Sequence, residues 1–216
     1  NLWMSNFFYE KFGPKRVYSD KYTQHTYDIA LALQRLIENT GVKIANDLYH
    51  ITKSKNLCVA GGVALNVLMN RSIIDKTPFE NYFFQPISND AGSSFGSSLY
   101  YYHQILGHDR SSIFNSVYLG TEYSNEEIER ALTSYNLIYK KTDNISKSTA
   151  KYIADGKIVG WFQGKMEAGP RALGNRSIVA DARSKDMKDR LNKRVKRREF
   201  FRPFAPSVLE EKVYEY

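Results

Sequence analysis

The chain has 216 residues, 42% hydrophobic and 14% aromatic, enough for one good-sized core or two small ones, which excludes a disordered chain. Its longest apolar runs, such as Asn56 to Leu68, are interrupted by Gly and Asn well short of the roughly 20 residues that a membrane span needs. The net charge of +8 invites a nucleic-acid reading, but most of the surplus lies between Arg183 and Arg202, where the basic residues face only Asp186, Asp189 and Glu199. A lone cysteine, Cys58, excludes an internal disulfide, and no secretory pattern opens the chain, so a cytoplasmic protein is expected.

From Gln24 to Ile51, apolar residues at Ile29, Leu33, Leu36, Ile37, Ile44, Leu48 and Ile51 recur at three and four, which predicts a helix with one buried stripe and Gly41 as its weak link. Asn56 to Ala60 reads as a short buried strand, Gly61-Gly62 as a tight turn, and Val63 to Asn70 as helix. Tyr82 to Phe84 predicts a second strand, stopped by Pro86. After Ser88-Asn-Asp90 a helix of small residues, Ala91 to Ser98, continues through Tyr100 to Tyr102 and closes near Gly107.

The hydrophobic period lapses around residues 108 to 123, which predicts a linker, and Ser124 with Glu127 forms a capping box that opens a helix through Tyr135. A further helix runs from about Ser146 to Ala154, and Ile158 to Trp161 restarts a strand. Strands alternating with helices give an α/β chain, mixed α+β in its second part. The division expected is 1–115, a linker with a helix over 116–145, and 146–216. No internal repeat or low-complexity tract is visible.

Gly61-Gly62 between strand and helix lets backbone N–H groups face an anion, although such a pair also serves as a packing turn; Asn66, one turn on, can add a side-chain contact. Asp90 before a helix can reach a metal ion or cap the helix. The densest signal is Gly160 to Ile178, followed by Ala180-Asp-Ala-Arg183. There Gly164, Gly169 and Gly174 permit tight turns while Lys165, Arg171 and Arg176 supply fixed positive charge, a combination suited to enclosing a polyphosphate. Neither a Walker loop nor a GxGxxG fingerprint is present. Glu167 reads as an internal ion partner of these cations rather than a general base. Asn192, Lys196, Arg198 and Arg202 extend the set, with Phe200, Phe201 and Phe204 available to pack beneath; the plainer reading of this stretch is a solvated helix face. The four histidines have no zinc spacing and read as structural or surface residues.

Leu57-Cys-Val-Ala-Gly-Gly-Val-Ala-Leu-Asn66 followed by Gly164-Lys-Met-Glu-Ala-Gly-Pro-Arg-Ala-Leu-Gly-Asn-Arg-Ser177 resembles the NodU/CmcH-type carbamoyltransferase family. Pro86 to Gly92 and Asn192 to Pro206 support the resemblance, which covers the chain from about residue 20. It implies the C-terminal half of an actin-like ATPase domain, similar to the tRNA threonylcarbamoyl-transferase core, followed by an incomplete YrdC-like domain. It also implies two-stage chemistry. Carbamoyl phosphate and ATP would give carbamoyl-adenylate in the YrdC-like part, and the carbamoyl group would pass to a hydroxyl of a small molecule or sugar at the actin-like part.

On the matching motifs, the resemblance implies that Gly61, Gly62 and Asn66 hold nucleotide and that Asp90 ligates a divalent metal, Fe or Mg. Gln163, Lys165, Arg171, Arg176, Arg183, Lys196, Arg198 and Arg202 would surround the phosphates, with Lys165, Arg171 and Arg176 as the catalytic candidates. Such a donor and a triphosphate are strongly anionic, in keeping with the charge. Two departures stand against this. The HxxxH pair of the family's metal site is absent, and the YrdC-like part looks unfinished at Tyr216, so the chain is expected to be a piece of something longer that does not turn over alone. A non-catalytic nucleotide- or RNA-binding module related to threonylcarbamoylation proteins is the competing reading, with steeply salt-dependent RNA affinity as its mark. A structural oligomerisation piece would show neither behaviour. No nucleic-acid or membrane partner is expected.

Overall fold

Threonine chemistry opens the longest element. After a short helix, α1 (Asn6–Phe12), the Thr23 and Thr26 side chains each accept the other's backbone N–H, and this reciprocal cap starts α2 (Gln24–Thr52), which ends where Lys53 turns left-handed at φ 54°. The computed structural model describes residues 5–17, 19–110 and 114–215, and it divides into two units, 1–112 and 113–216.

In the first unit, β1 (Asn56–Val59) pairs in parallel with β2 (Asn81–Phe84), placing Leu57 opposite Tyr82. Between them lie a 3-10 turn, Gly62–Leu65, and α3 (Val67–Lys76). The single helix expected over Val63 to Asn70 is therefore broken at Asn66, whose side chain accepts the Met69 N–H at 3.0 Å and starts α3 afresh. The core is Ala45, Leu57, Met69, Ile73 and Phe79, with Ile37, Val42 and Tyr49 of α2 packed against it.

Of the α2 stripe expected to be buried, Ile37 packs as read and Ile29 is partly covered, but the rest is corrected. Leu33, Leu36, Ile44, Leu48 and Ile51 are exposed, Ile51 to 81%. The packed face is instead the one that carries Gly41 and Ala45. A Cβ on Gly41 would sit 2.8 Å from Met69 Cγ, so the residue read as a weak link is a point of close approach to α3. Small residues let the helices approach, and that gain outweighed the larger but dispersed apolar side chains.

After β2, α4 (Ala91–Tyr100) continues into a π-helical turn, Tyr101–Ile105. A Cβ on Gly92 would collide with the Ile87 carbonyl oxygen, so the small residues at the start of α4 are answered at least in part by a returning backbone.

The second unit begins with residues 117–121, where linker was expected, laid along residues 166–168. Gly120 N–H donates to Met166 O at 2.9 Å, Met166 N–H to Thr121 O at 3.1 Å, and Ala168 N–H to Val117 O at 2.7 Å. The Ser124–Glu127 capping box opens α5 (Asn125–Ser134) as read from sequence, and Asn144 caps α6 (Ile145–Ala154). β3 (Val159–Phe162) pairs antiparallel with β4 (Arg176–Val179), so the glycine- and arginine-rich motif is the connection of a β-hairpin and ends in a strand of its own. A short α7 (Met187–Arg190) runs into a π-helical turn, Leu191–Lys196, that Arg197 closes at φ 47°. Met187 and Leu191 are its buried apolar residues. Among the described residues no helix is long and apolar enough to cross a membrane.

Candidate functional site

The first unit presents two places. Gly61 takes φ +92°, a conformation open to glycine, and from there the chain coils directly into the 3-10 turn, with Ala64 N–H donating to Gly61 O at 2.9 Å. The space before Gly61 and Gly62 is open. Asn66 is mostly committed: besides capping α3, it exchanges two hydrogen bonds with Gln34 of α2, at 2.8 and 3.1 Å, which leaves one amide hydrogen for any ligand.

Asp90 stands just before α4, at its N-cap position but already in helical conformation, exposed, and its carboxylate makes no capping bond. The capping reading is thereby set aside. Beside it, Asn89 Oδ1 is buried without a partner. Among the described residues no group of three His, Cys, Asp or Glu gathers anywhere. A divalent ion such as Mg takes about six ligands, so these residues do not by themselves fit one, and no reaction step is derived through a metal.

The second unit's site is the hairpin connection between β3 and β4. Its turns fall at Gly164, Gly169 and Gly174, with φ +48°, +101° and +110°, as the glycine spacing predicts. At its centre is Glu167. One carboxylate oxygen, Oε1, accepts the backbone N–H groups of Leu173 and Asn175 at 2.7 Å and of Arg176 at 3.2 Å. Glu167 was expected to pair with the neighbouring cations; its partners are instead amides. Desolvation pushes its carboxyl up, but these amides together outweigh that and hold the pKa down at about 2. A carboxylate so acidic is a poor proton acceptor near neutral pH.

Asn175 ties the two limbs of the connection. Its side-chain amide donates to Lys165 O at 2.6 Å, its carbonyl oxygen accepts the Gln163 N–H at 2.9 Å, and the Gln163 side chain donates to Asn175 Oδ1 at 3.2 Å and Gly174 O at 3.3 Å. Gly174 N–H is taken by Ser177 Oγ at 3.0 Å. From the facing segment, the Tyr118 hydroxyl donates to Leu173 O at 2.9 Å.

Against this hydrogen-bonded backbone, the cations stand apart from acids among the described residues. Lys165, Arg171 and Arg176 are exposed and have no carboxylate partner among the described residues. Arg176 lies over the Phe162 ring, 5.7 Å from its centroid. Gln163, Lys165, Arg171 and Arg176 thus share one ordered connection.

The remaining candidates are held elsewhere in the unit. Arg183 makes a two-pronged contact with Asp181, both bonds 2.9 Å, which raises the arginine's pKa and lowers the aspartate's. Arg198 and Arg202 gather around Asn192, 1% exposed, whose amide donates to Arg202 O at 2.9 Å and Phe200 O at 3.2 Å while its Oδ1 accepts Arg198 Nε at 2.7 Å. Arg202 is also paired with Glu199 at 2.9 Å, and Arg198 covers the Phe204 ring at 4.6 Å. Lys196 is exposed. Phe200 and Phe201, expected beneath the cations, stand half exposed, edge to face with each other at 5.7 Å.

Sequence reasoning missed Tyr118. The signal was present in Val117-Tyr-Leu-Gly120, a run of strand formers ending in glycine, but it is too short to mark a strand without its partner.

Comparison with known proteins follows the same two parts. Residues 1–99 match the family model for the Carbamoyltransferase N-terminus, and residues 150–216 match that for the Carbamoyltransferase C-terminus. An uncharacterised protein of Synechocystis sp. is 40% identical over 97% of this chain and 35% of its own length. Nodulation protein NolO of Bradyrhizobium diazoefficiens is 38% identical over 90% of this chain and 36% of its own length. Nodulation protein U of Azorhizobium caulinodans is 34% identical over 75% of this chain and 27% of its own length. The chain therefore spans about a third of the length of the curated relatives it matches. With both family domains matched in order, and with the glycine- and arginine-rich connection inside the C-terminal match, the chain belongs to the carbamoyltransferase family.

Proposed function

We propose that this chain is part of an ATP-dependent O-carbamoyltransferase, and that the β3–β4 connection is where it binds the phosphates of carbamoyl phosphate and ATP. The first stage would convert carbamoyl phosphate, ATP and water into carbamoyl-adenylate, inorganic phosphate and pyrophosphate. The second would hand the carbamoyl group to a hydroxyl of a small molecule or sugar and release AMP. The observation that carries this reading is the contrast on one short connection: Glu167, its acid, is held by backbone amides, while Lys165, Arg171 and Arg176 have no carboxylate partner among the described residues. Cations held without an acid partner are suited to an anion, and charge that builds during phosphoryl chemistry is stabilised by donors already in place.

Gln163 would add a side-chain donor, and Arg183, Lys196, Arg198 and Arg202 would enlarge the positive field. Gly61, Gly62 and the remaining amide hydrogen of Asn66 would contact nucleotide in the first unit, and Asp90 would contribute one carboxylate toward a metal ion. ATP supplies the activated α-phosphate; the protein's part is to bind, orient and neutralise.

The test is pyrophosphate release by the whole protein that carries this chain. Release from ATP is expected only when carbamoyl phosphate is present. Arg171→Ala should lower that rate by about 100-fold or more, the usual consequence of removing one donor to developing charge. A wild-type rate in the variant would remove Arg171 from the site, and release without carbamoyl phosphate would overturn the donor.

A further inference from the structure

Coulomb's law alone makes Glu167 a nuisance. A carboxylate among Lys165, Arg171 and Arg176 reduces their pull on an anion, so its removal should tighten phosphate binding. The hydrogen bonds argue for the opposite sign. Oε1 of Glu167 gathers the N–H groups of Leu173, Asn175 and Arg176, three donors from four consecutive residues, and thereby sets the turn that leads from Arg171 into Arg176 and β4. Without an acceptor there, those amides would have to turn to water and the turn would lose its shape. Tyr118 secures the same turn through the Leu173 carbonyl, from a segment that is itself laid along Met166 and Ala168 on either side of Glu167.

We propose that Glu167 is a positioning residue for the phosphate site: it acts through the backbone it gathers, holding Arg171 and Arg176 in the arrangement that binds an anion, with Tyr118 bracing the same turn from the facing segment. This rests on the reading above that the connection takes phosphate, and it assigns the loop's single acid a role opposite in sign to its charge.

The probe is inorganic pyrophosphate, titrated calorimetrically into the whole protein, with circular dichroism and the melting temperature checking each variant's fold. Glu167→Ala should weaken binding by about tenfold, the size expected when charge-assisted hydrogen bonds are lost. Glu167→Gln keeps an acceptor oxygen at the same reach and should recover to within about threefold of wild type. Tyr118→Phe, a variant that removes one hydroxyl and little else, should weaken binding by about threefold. Binding that is unchanged or tighter in Glu167→Ala means that the residue acts only as a charge and overturns the proposal, as does an equal loss in Glu167→Gln. If Glu167→Ala does not fold, Tyr118→Phe decides, and wild-type affinity there overturns it. Arg176→Ala separates the two readings. A loss there with none in Glu167→Ala defeats positioning alone, whereas wild-type affinity there, or no pyrophosphate binding at all, defeats the phosphate site and the positioning role with it.

Discussion

Two regions of this molecule are ordered by opposite means. In the first unit, α2 and α3 meet through what is missing: Gly41 leaves room for Met69 and Ile73, which form one core with Ala45, Leu57 and Phe79. In the second, the β3–β4 connection and the turn after α7 are ordered by polar hubs, Glu167 and Asn192, each satisfying three partners that would otherwise lack one. Apolar packing has no directional demand, so it suits a helix pair. A loop that must carry cations outward cannot bury itself in oil and is shaped instead by groups with fixed geometry. The chemistry-bearing residues sit on the second kind of structure.

The comparison breaks if the two regions respond alike to substitution. The largest effect is expected from Phe79→Ala. This ring is 6% exposed and meets Tyr49 and Tyr82 edge to face at 5.4 and 6.3 Å, so truncation should cost about 3–5 kcal/mol in urea unfolding, while Phe79→Leu recovers part of the loss. A smaller loss, about 1–3 kcal/mol, is expected from Asn192→Ala, which takes from the Phe200 and Arg202 carbonyls and the Arg198 Nε–H the buried side chain that joins them. Here Asn192→Leu should not recover stability, because volume is not what the residue supplies. If leucine rescues both positions equally, the second unit is packed like the first and the distinction fails.

Much of the local structure was legible before any coordinates. The capping box at Ser124 and Glu127, the bounds of α2 and the strands at Asn56 and Tyr82 each depend on neighbours within a few residues, which is the range over which sequence patterns report. What stayed hidden depends on partners far away. Periodicity found Ile37 on the packed side of α2 but not that Gly41 and Ala45 continue it, because these two count for little on any hydrophobic scale and a great deal in close approach. β4 begins with Arg176 inside a run of glycines and cations, and only its pairing with β3 makes it a strand. Val117 to Thr121 read as linker because its hydrogen-bond partners, Met166 and Ala168, lie far along the chain. The site's residue types were legible as a positive, glycine-hinged loop. Its organising contacts were not, since a glutamate's choice between arginine side chains and backbone amides is settled by the turn those amides make.

The smallest departure, and the one that most sharpens the contrast, is expected from acid. Glu167 titrates at about 2 in the folded chain against an ordinary value of 4.5, so the stabilisation it lends the turn is complete above 4.5 and is lost as the pH falls from there toward 2. Its partial exposure lets solvent screen much of this, and the effect belongs to the turn rather than to the whole unit. The amide proton shifts of Leu173, Asn175 and Arg176 should therefore move together below pH 4.5, in a single step that Glu167→Gln abolishes. The amides of β1 carry no such hub, and Leu57, at 5% exposure, should keep its shift through the same interval. A turn that titrates instead near 4.5, the ordinary carboxylate value, would mean that the three N–H groups do not hold the charged form, and would take the polar half of the comparison with it.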